Sequence, residues 1–177
     1  MKQRRPLRLR EYDYGAAGYY FVTVCTHNRE CLFWKGVRAG LEPAPTLNRM
    51  GELVLQAWLD LPAHTTGVRL DHFAVMPNHV HGIIVLESPN PVGAGSKPAQ
   101  APTPLPEVIR QFKTFSARKI NALRASPGKP LWQRSYYDHV IRDEADHLRI
   151  WEYIDTNPAR WAEDEYWMPA ANKEETP

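Results

Sequence analysis

Phe73-Ala-Val-Met-Pro-Asn-His-Val-His-Gly-Ile-Ile-Val-Leu86 sets two histidines one residue apart among β-branched and apolar residues. A run of that kind favours a strand over a helix. Side chains alternate along a strand, so His79 and His81 share one face and Val80 takes the other. Burying two imidazoles on a face that should be apolar is costly unless they have a partner. Two neutral imidazoles aimed at one point form part of a metal site. Each could otherwise be a core histidine with a single hydrogen-bond partner.

Outward from this strand, at 79–86, the chain reads as a regular alternation. Pro77-Asn78 is a turn or kink, and Val68 to Met76 a preceding strand. Tyr19-Tyr-Phe-Val-Thr-Val-Cys-Thr26 is a first strand, with Cys31-Leu-Phe-Trp34 as an extension or a small addition. Between them Leu47, Met50, Leu53, Val54, Ala57, Trp58 and Leu61 recur at helical spacing, with Asn48 opening the pattern and Pro62 closing it. A second helix spans about Leu105 to Ala125, with Val108, Ile109, Phe112, Phe115, Ala117 and Ile120 apolar. Leu131-Trp132 and Asp138 to Arg142 form a last strand, in one or two pieces. Asp143 suits an N-cap, and the helix behind it runs to Asn157-Pro158.

Strand, helix, strand, strand, helix, strand is the split-βαβ plan: an α+β, ferredoxin-like antiparallel sheet with two helices on one face and a terminal helix. The expected organisation is a basic N-terminal arm at 1–14, one domain at 15–167 and a tail at 168–177. The Pro/Gly-rich stretch 88–106 offers nothing that packs and is expected to be a flexible insertion.

The 177 residues carry 43% hydrophobic and 24% charged side chains, enough for one domain with a proper core. No apolar run approaches the ~20 residues of a membrane span, and the N-terminus lacks a signal-peptide core. Cys25 and Cys31 have no zinc-type spacing and suit reduced cytosolic thiols, so a cytoplasmic protein is expected. The formal net charge is only +2, but its distribution is uneven. Lys2, Arg4, Arg5, Arg8 and Arg10 crowd the arm, while Arg110, Lys113, Arg118, Lys119 and Arg124 punctuate the second helix. Acidic residues, including Glu163, Asp164 and Glu165, gather near the end. Clustered basic residues suit a nucleic-acid face, or simply a solvated exterior.

At ~100° per residue, His147, Ile150, Trp151 and Ile154 share the core-facing arc of the terminal helix. Arg149, Tyr153 and Asn157 form a separate row, four apart. A helical tyrosine is ordinarily a packing residue. This one lies off the apolar stripe, between a guanidinium and an amide. That row suits a phenol that attacks, an amide oxygen that binds metal and an arginine that contacts phosphate. A phenol with pKa ~10 is a poor nucleophile at neutral pH and needs deprotonation or an electrophile activated by metal. Two histidines leave coordination places open, as catalysis requires and structural zinc does not.

Met76-Pro-Asn-His-Val-His-Gly-Ile-Ile84, in order with Tyr19 to Arg29, Ile109 to Ser116, Trp132-Gln-Arg-Ser-Tyr-Tyr-Asp-His-Val-Ile-Arg142 and Tyr153-Ile-Asp-Thr-Asn-Pro158, resembles the HUH single-tyrosine transposases. The similarity is greatest to the REP-associated, IS200-like group, and reaches from about residue 5 to residue 167. The resemblance implies a metal-dependent single-stranded DNA endonuclease and strand-transferase that forms a 5′-phosphotyrosine link on hairpin DNA. It implies Tyr153 as nucleophile, and His79, His81 and Asn157 as ligands of magnesium or manganese. The family's relatives often have glutamine at the Asn157 position. Tyr136 and Tyr137 compete with Tyr153 for the nucleophile. Arg4, Arg5, Arg8, Arg110, Lys113, Trp132, Gln133, Arg134 and Arg149 are candidate DNA contacts, with Trp132, Gln133 and Arg134 alternatively a structural corner. Partners are single-stranded or hairpin DNA, with the protein a monomer or homodimer. The alternatives are a non-catalytic single-strand-binding module and a metallohydrolase that activates water.

Overall fold

The histidine-bearing run forms β3 (His79–Leu86), buried at every position, in a computed structural model that describes residues 12–35, 46–88 and 101–167. Two strands flank it, β2 (Val68–Val75) and β1 (Gly18–Cys25), both antiparallel to it. On the far side of β1 lies β4 (Tyr137–Ile141), again antiparallel, so the order across the sheet is β2-β3-β1-β4. The link from β1 to β2 carries α1 (Arg49–Leu59) and a short α2 (Leu61–His64). The link from β3 to β4 carries α3 (Leu105–Leu123), and α4 (Glu144–Thr156) follows β4. This is the expected α+β, ferredoxin-like sheet with one helix added.

Alternation along the central strands builds two cores. Tyr20, Val22 and Val24 of β1 and Val80, Ile84 and Leu86 of β3 meet Val54 and Trp58 of α1 and Val108, Phe112 and Ile120 of α3. On the opposite face Phe21, Ile83, Val85 and Ile141 meet Ile150 and Ile154 of α4. A strand covered on both faces must be apolar almost throughout, which explains the unbroken run. Gly82 lies on the first face. A Cβ there would stand 2.5 Å from Phe73 Cβ and 2.9 Å from the Trp58 ring, so the missing side chain lets Trp58 reach the sheet.

The caps follow the sequence. Asn48 Oδ1 accepts from Met50 N and Gly51 N at the start of α1, and the Asp143 carboxylate accepts from Asp146 N at the start of α4. Pro62 does not close the first helical pattern but sits in the first turn of α2, where its missing N–H costs nothing. Trp151 and His147 lie at the rim of the α4 contact rather than inside it. The Trp151 indole stacks on His72 at 4.2 Å while 40% exposed, and His147 Nε2 donates to Asp71 at 2.8 Å. Phe115, expected among the apolar residues of α3, is 41% exposed.

The end of the expected flexible insertion is docked. Thr103 N donates to Thr66 O, Thr66 N donates to Thr103 Oγ1, and Leu105 N donates to Tyr14 O as α3 begins. Residues 89–100, most of the basic arm (1–11) and the tail (168–177) lie outside the described residues. Among the described residues no helix is long and apolar enough to cross a membrane.

Candidate functional site

Register fixes the histidines first. His79 pairs with Cys25 and His81 with Thr23 of β1, both imidazoles on the α4 face with ring centroids 5.0 Å apart. Neither has any solvent exposure. Asn78 governs one of them. Its Nδ2 donates to the Arg29 and Tyr166 carbonyls, at 3.2 and 2.8 Å, which turns its Oδ1 toward His79 Nδ1 at 2.9 Å. An amide oxygen only accepts, so Nδ1 carries the proton and Nε2 keeps its lone pair. His79 Nε2 and both nitrogens of His81 are buried without a hydrogen-bond partner.

Both rings are held neutral. Burial, with help from the Arg29 charge, pushes His79 down to about 3. Burial and then His79 hold His81 well below its usual range. Neutral imidazoles with free lone pairs are the form that binds a cation, so these orphaned nitrogens fit a divalent metal. Among the described residues no group of three or more His, Cys, Asp or Glu side chains is arranged to hold one.

The terminal helix brings the phenol to this point. Two His–Asp bridges tie α4 across the sheet: His147 Nε2 donates to Asp71 of β2, and His139 Nε2 of β4 donates to Asp146 at 2.7 Å. With α4 so placed, the Tyr153 ring meets His81 at a centroid distance of 5.3 Å and Phe21 at 6.1 Å. Arg149, Tyr153 and Asn157, the row read from helical spacing, all line one cleft of about 470 Å³. Tyr153 is 37% exposed and Asn157 is buried.

Sequence reading missed the residue that joins the row. Asp164, 9% exposed, accepts from the Tyr153 hydroxyl at 3.3 Å and from Asn157 Nδ2 at 2.5 Å through Oδ2, and from Tyr166 N through Oδ1. It sits beyond the helix, in an acidic run that resembles ordinary surface charge, and no periodicity reaches it. Burial, then the Asp164 and Glu165 charges, raise the Tyr153 phenol above its ordinary value. Tyr166 was also missed. Its ring lies 4.8 Å from His79 and 5.1 Å from the Arg29 guanidinium, between the imidazole and that charge.

The remaining candidates divide. Tyr136 is buried, whereas Tyr137 is 48% exposed and lines the cleft with Arg149. Trp132 is no base-stacking platform: it is 8% exposed, packs on Phe33 and Phe112, and donates its indole N–H to buried Ser116. That packing fits the structural-corner alternative for Trp132. Lys113 spends its ammonium on the carbonyls of Gln133, Arg134 and Ser135. It belongs, with Arg110, to α3, on the sheet face away from the cleft, and Arg110 is held by Glu107. Arg134 is exposed and Gln133 half-buried, its N–H donated to Cys25 O. Arg4, Arg5 and Arg8 lie outside the described residues.

No family model matches the chain. Its sequence is 38% identical over 179 residues to an uncharacterized protein of Haemophilus influenzae, with 93% of each chain covered. Among solved structures, it is similar to a REP-associated tyrosine transposase bound to a REP hairpin, with a TM-score of 0.56, 17% identity, and 87% of this chain and 73% of the other covered. The shared architecture is the four-stranded sheet with its helices, the level at which so distant a sequence speaks. The chain thus belongs to the family of the Haemophilus influenzae protein, and its fold is that of the REP-associated tyrosine transposase.

Proposed function

We propose that the protein is a metal-dependent single-stranded DNA endonuclease and strand-transferase, a transposase acting on hairpin-forming, REP-like DNA. The observation that carries this reading is the approach of the Tyr153 ring to His81 at 5.3 Å, with three imidazole nitrogens left unpartnered behind it. The fold is supporting, because the solved relative is a tyrosine transposase holding a DNA hairpin.

In this reading His79 Nε2, His81 and the Asn157 amide oxygen would hold magnesium or manganese. Imidazole is the less usual partner for magnesium, which makes manganese a sound probe in vitro. The bound cation would supply Lewis-acid polarisation of the scissile phosphate. Tyr153 Oη attacks phosphorus, the bond from phosphorus to the 3′ oxygen breaks with its electron pair staying on that oxygen, and protonation of the oxygen by solvent leaves a 5′-phosphotyrosine and a free 3′ hydroxyl. Asp164 already accepts the phenolic hydrogen bond and is the nearest acceptor for its proton. Attack by a 3′ hydroxyl on the phosphotyrosine reverses the chemistry and joins strands.

Incubation with a labelled DNA hairpin and manganese should give a denaturant-stable protein–DNA adduct. Tyr153→Phe should abolish it while leaving DNA binding intact, and the double change His79→Ala with His81→Ala should do the same. An adduct that persists in Tyr153→Phe would falsify the assignment. The rival reading, a non-catalytic single-strand-binding module, draws on the complete burial of both imidazoles. It requires that no adduct form under any metal condition.

A further inference from the structure

Tyr137 is the exposed aromatic that neither core uses. It opens β4 opposite Thr23 of β1, stands 48% exposed, and leans on Phe21 at a ring distance of 6.2 Å. Phe21 in turn meets Tyr153 at 6.1 Å. One wall of the cleft is therefore Tyr137, Phe21 and Tyr153 in sequence, an aromatic surface that ends at the phenol.

Charge separates the inside of the cleft from its rim. Arg149 and Arg160 have side chains 68% and 65% exposed and are paired with Asp146 and Glu163. Asp164, which is buried, and Glu165, which is exposed like the two arginines, also line the space, and neither takes part in an ion pair among the described residues. Asp164 is thus the buried charge of the lining, and beside it the aromatic wall suits a neutral, flat group, with the reacting phosphodiester alone reaching Tyr153. A nucleobase is neutral, has a π-face for the aromatic wall, and offers N–H donors to carboxylate oxygens. A volume of about 470 Å³ lies within the range of small-ligand pockets.

We infer that the cleft takes one unpaired nucleobase of the DNA strand, stacked on Tyr137, while the sugar–phosphate chain follows the rim past Arg149 and Arg160. This inference rests on the single-strand DNA reading above and adds which group of the substrate is held where. Tyr137 is in this view a positioning residue: anchoring one base beside the phenol fixes which phosphate lies before Tyr153.

The test uses the full chain carrying Tyr153→Phe, so that binding is read without turnover. A fluorescent DNA hairpin with single-stranded flanks is selected for affinity from a pool randomised in those flanks. Loss of one stacked base weakens such binding by about 5- to 100-fold. That loss is expected for Tyr137→Ala by anisotropy, with Tyr137→Trp and Tyr137→Phe close to the parent. Abasic substitution at each flank position then maps the contact. At one position the abasic DNA should bind the parent and Tyr137→Ala alike, because the partner of the ring is gone. Two results overturn the inference: Tyr137→Ala binding within twofold of the parent at an unchanged melting temperature, or a penalty that no abasic position removes. If no hairpin is selected at all, the DNA reading itself falls and takes this inference with it. If hairpins bind and the wild-type chain forms its adduct but Tyr137→Ala is silent, this inference alone fails.

Discussion

Asn78 Oδ1 stands 2.9 Å from His79 Nδ1 and dictates which imidazole nitrogen is free to bind. An orienting partner of this kind fixes both tautomer and ring angle. Asn78→Ala should therefore weaken manganese binding by about 10- to 100-fold while leaving the strand intact. Isothermal titration with manganese, beside a melting curve, separates that effect from unfolding. Unchanged affinity would show that the contact is packing only.

The buried imidazoles make stability depend on pH in one direction. In the unfolded chain a histidine titrates near 6.5, whereas folded His79 stays neutral to about 3. Above 6.5 both states are neutral and stability is complete. As pH falls below that value the unfolded state takes up protons that the folded state refuses, so stability is lost progressively through the window from 6.5 to about 3. Each such histidine costs about 1.4 kcal/mol per pH unit within it. Urea midpoints measured from pH 8 to 4 should fall, and His79→Leu should shallow the slope. A flat profile in the wild type would contradict the neutral assignment.

The Tyr153 hydroxyl should remain protonated where a free phenol, with pKa ~10, is half ionised. Its burial and the neighbouring Asp164 and Glu165 charges both oppose tyrosinate. The difference in ultraviolet absorbance between wild type and Tyr153→Phe should show no tyrosinate from this residue at that pH. Asp164→Asn should bring its ionisation down. A normal titration in the wild type would rule out the buried, acid-flanked environment.

Gly82→Ala should destabilise the fold by about 1–3 kcal/mol, because the added methyl must displace Phe73 or the Trp58 ring. For a chain of this length that is roughly 2–4 °C of melting temperature per kcal/mol. Combining it with Trp58→Phe should recover part of the loss, since the smaller ring vacates the contact.

Trp132 provides the opposite control. Trp132→Ala should cost about 3–5 kcal/mol, as expected for a large buried ring. The salt dependence of hairpin binding by the folded fraction should be unchanged, because the indole touches Phe33, Phe112 and Ser116 rather than solvent.

How much of this was legible in the chain depended on periodicity. The strand at 79–86, the start of the first helical pattern at Asn48 and the Asp143 cap were read in place, because repeating apolar spacing and capping side chains are local signals. The row Arg149, Tyr153 and Asn157 was readable for the same reason. Asp164 and Tyr166 were not. They follow the last helical turn, and only the three-dimensional return of the chain past Arg29 and Asn78 brings them to the site. Trp132 misled for a related reason: beside Gln133 and Arg134 it resembles a loop that reads DNA. Its partners Phe33 and Phe112 lie far away in sequence. Trp151 had the right period but stacks on His72 at the edge of the sheet, still 40% exposed.

The two bridges from α4, to Asp71 and from His139, seat the helix that carries Tyr153 on its own sheet. In the proposed reaction, phenol and imidazoles would then come from one polypeptide. Adduct formation should be first order in protein, and mixing Tyr153→Phe with the His79→Ala/His81→Ala chain should rescue nothing, since neither can lend the other what it lacks.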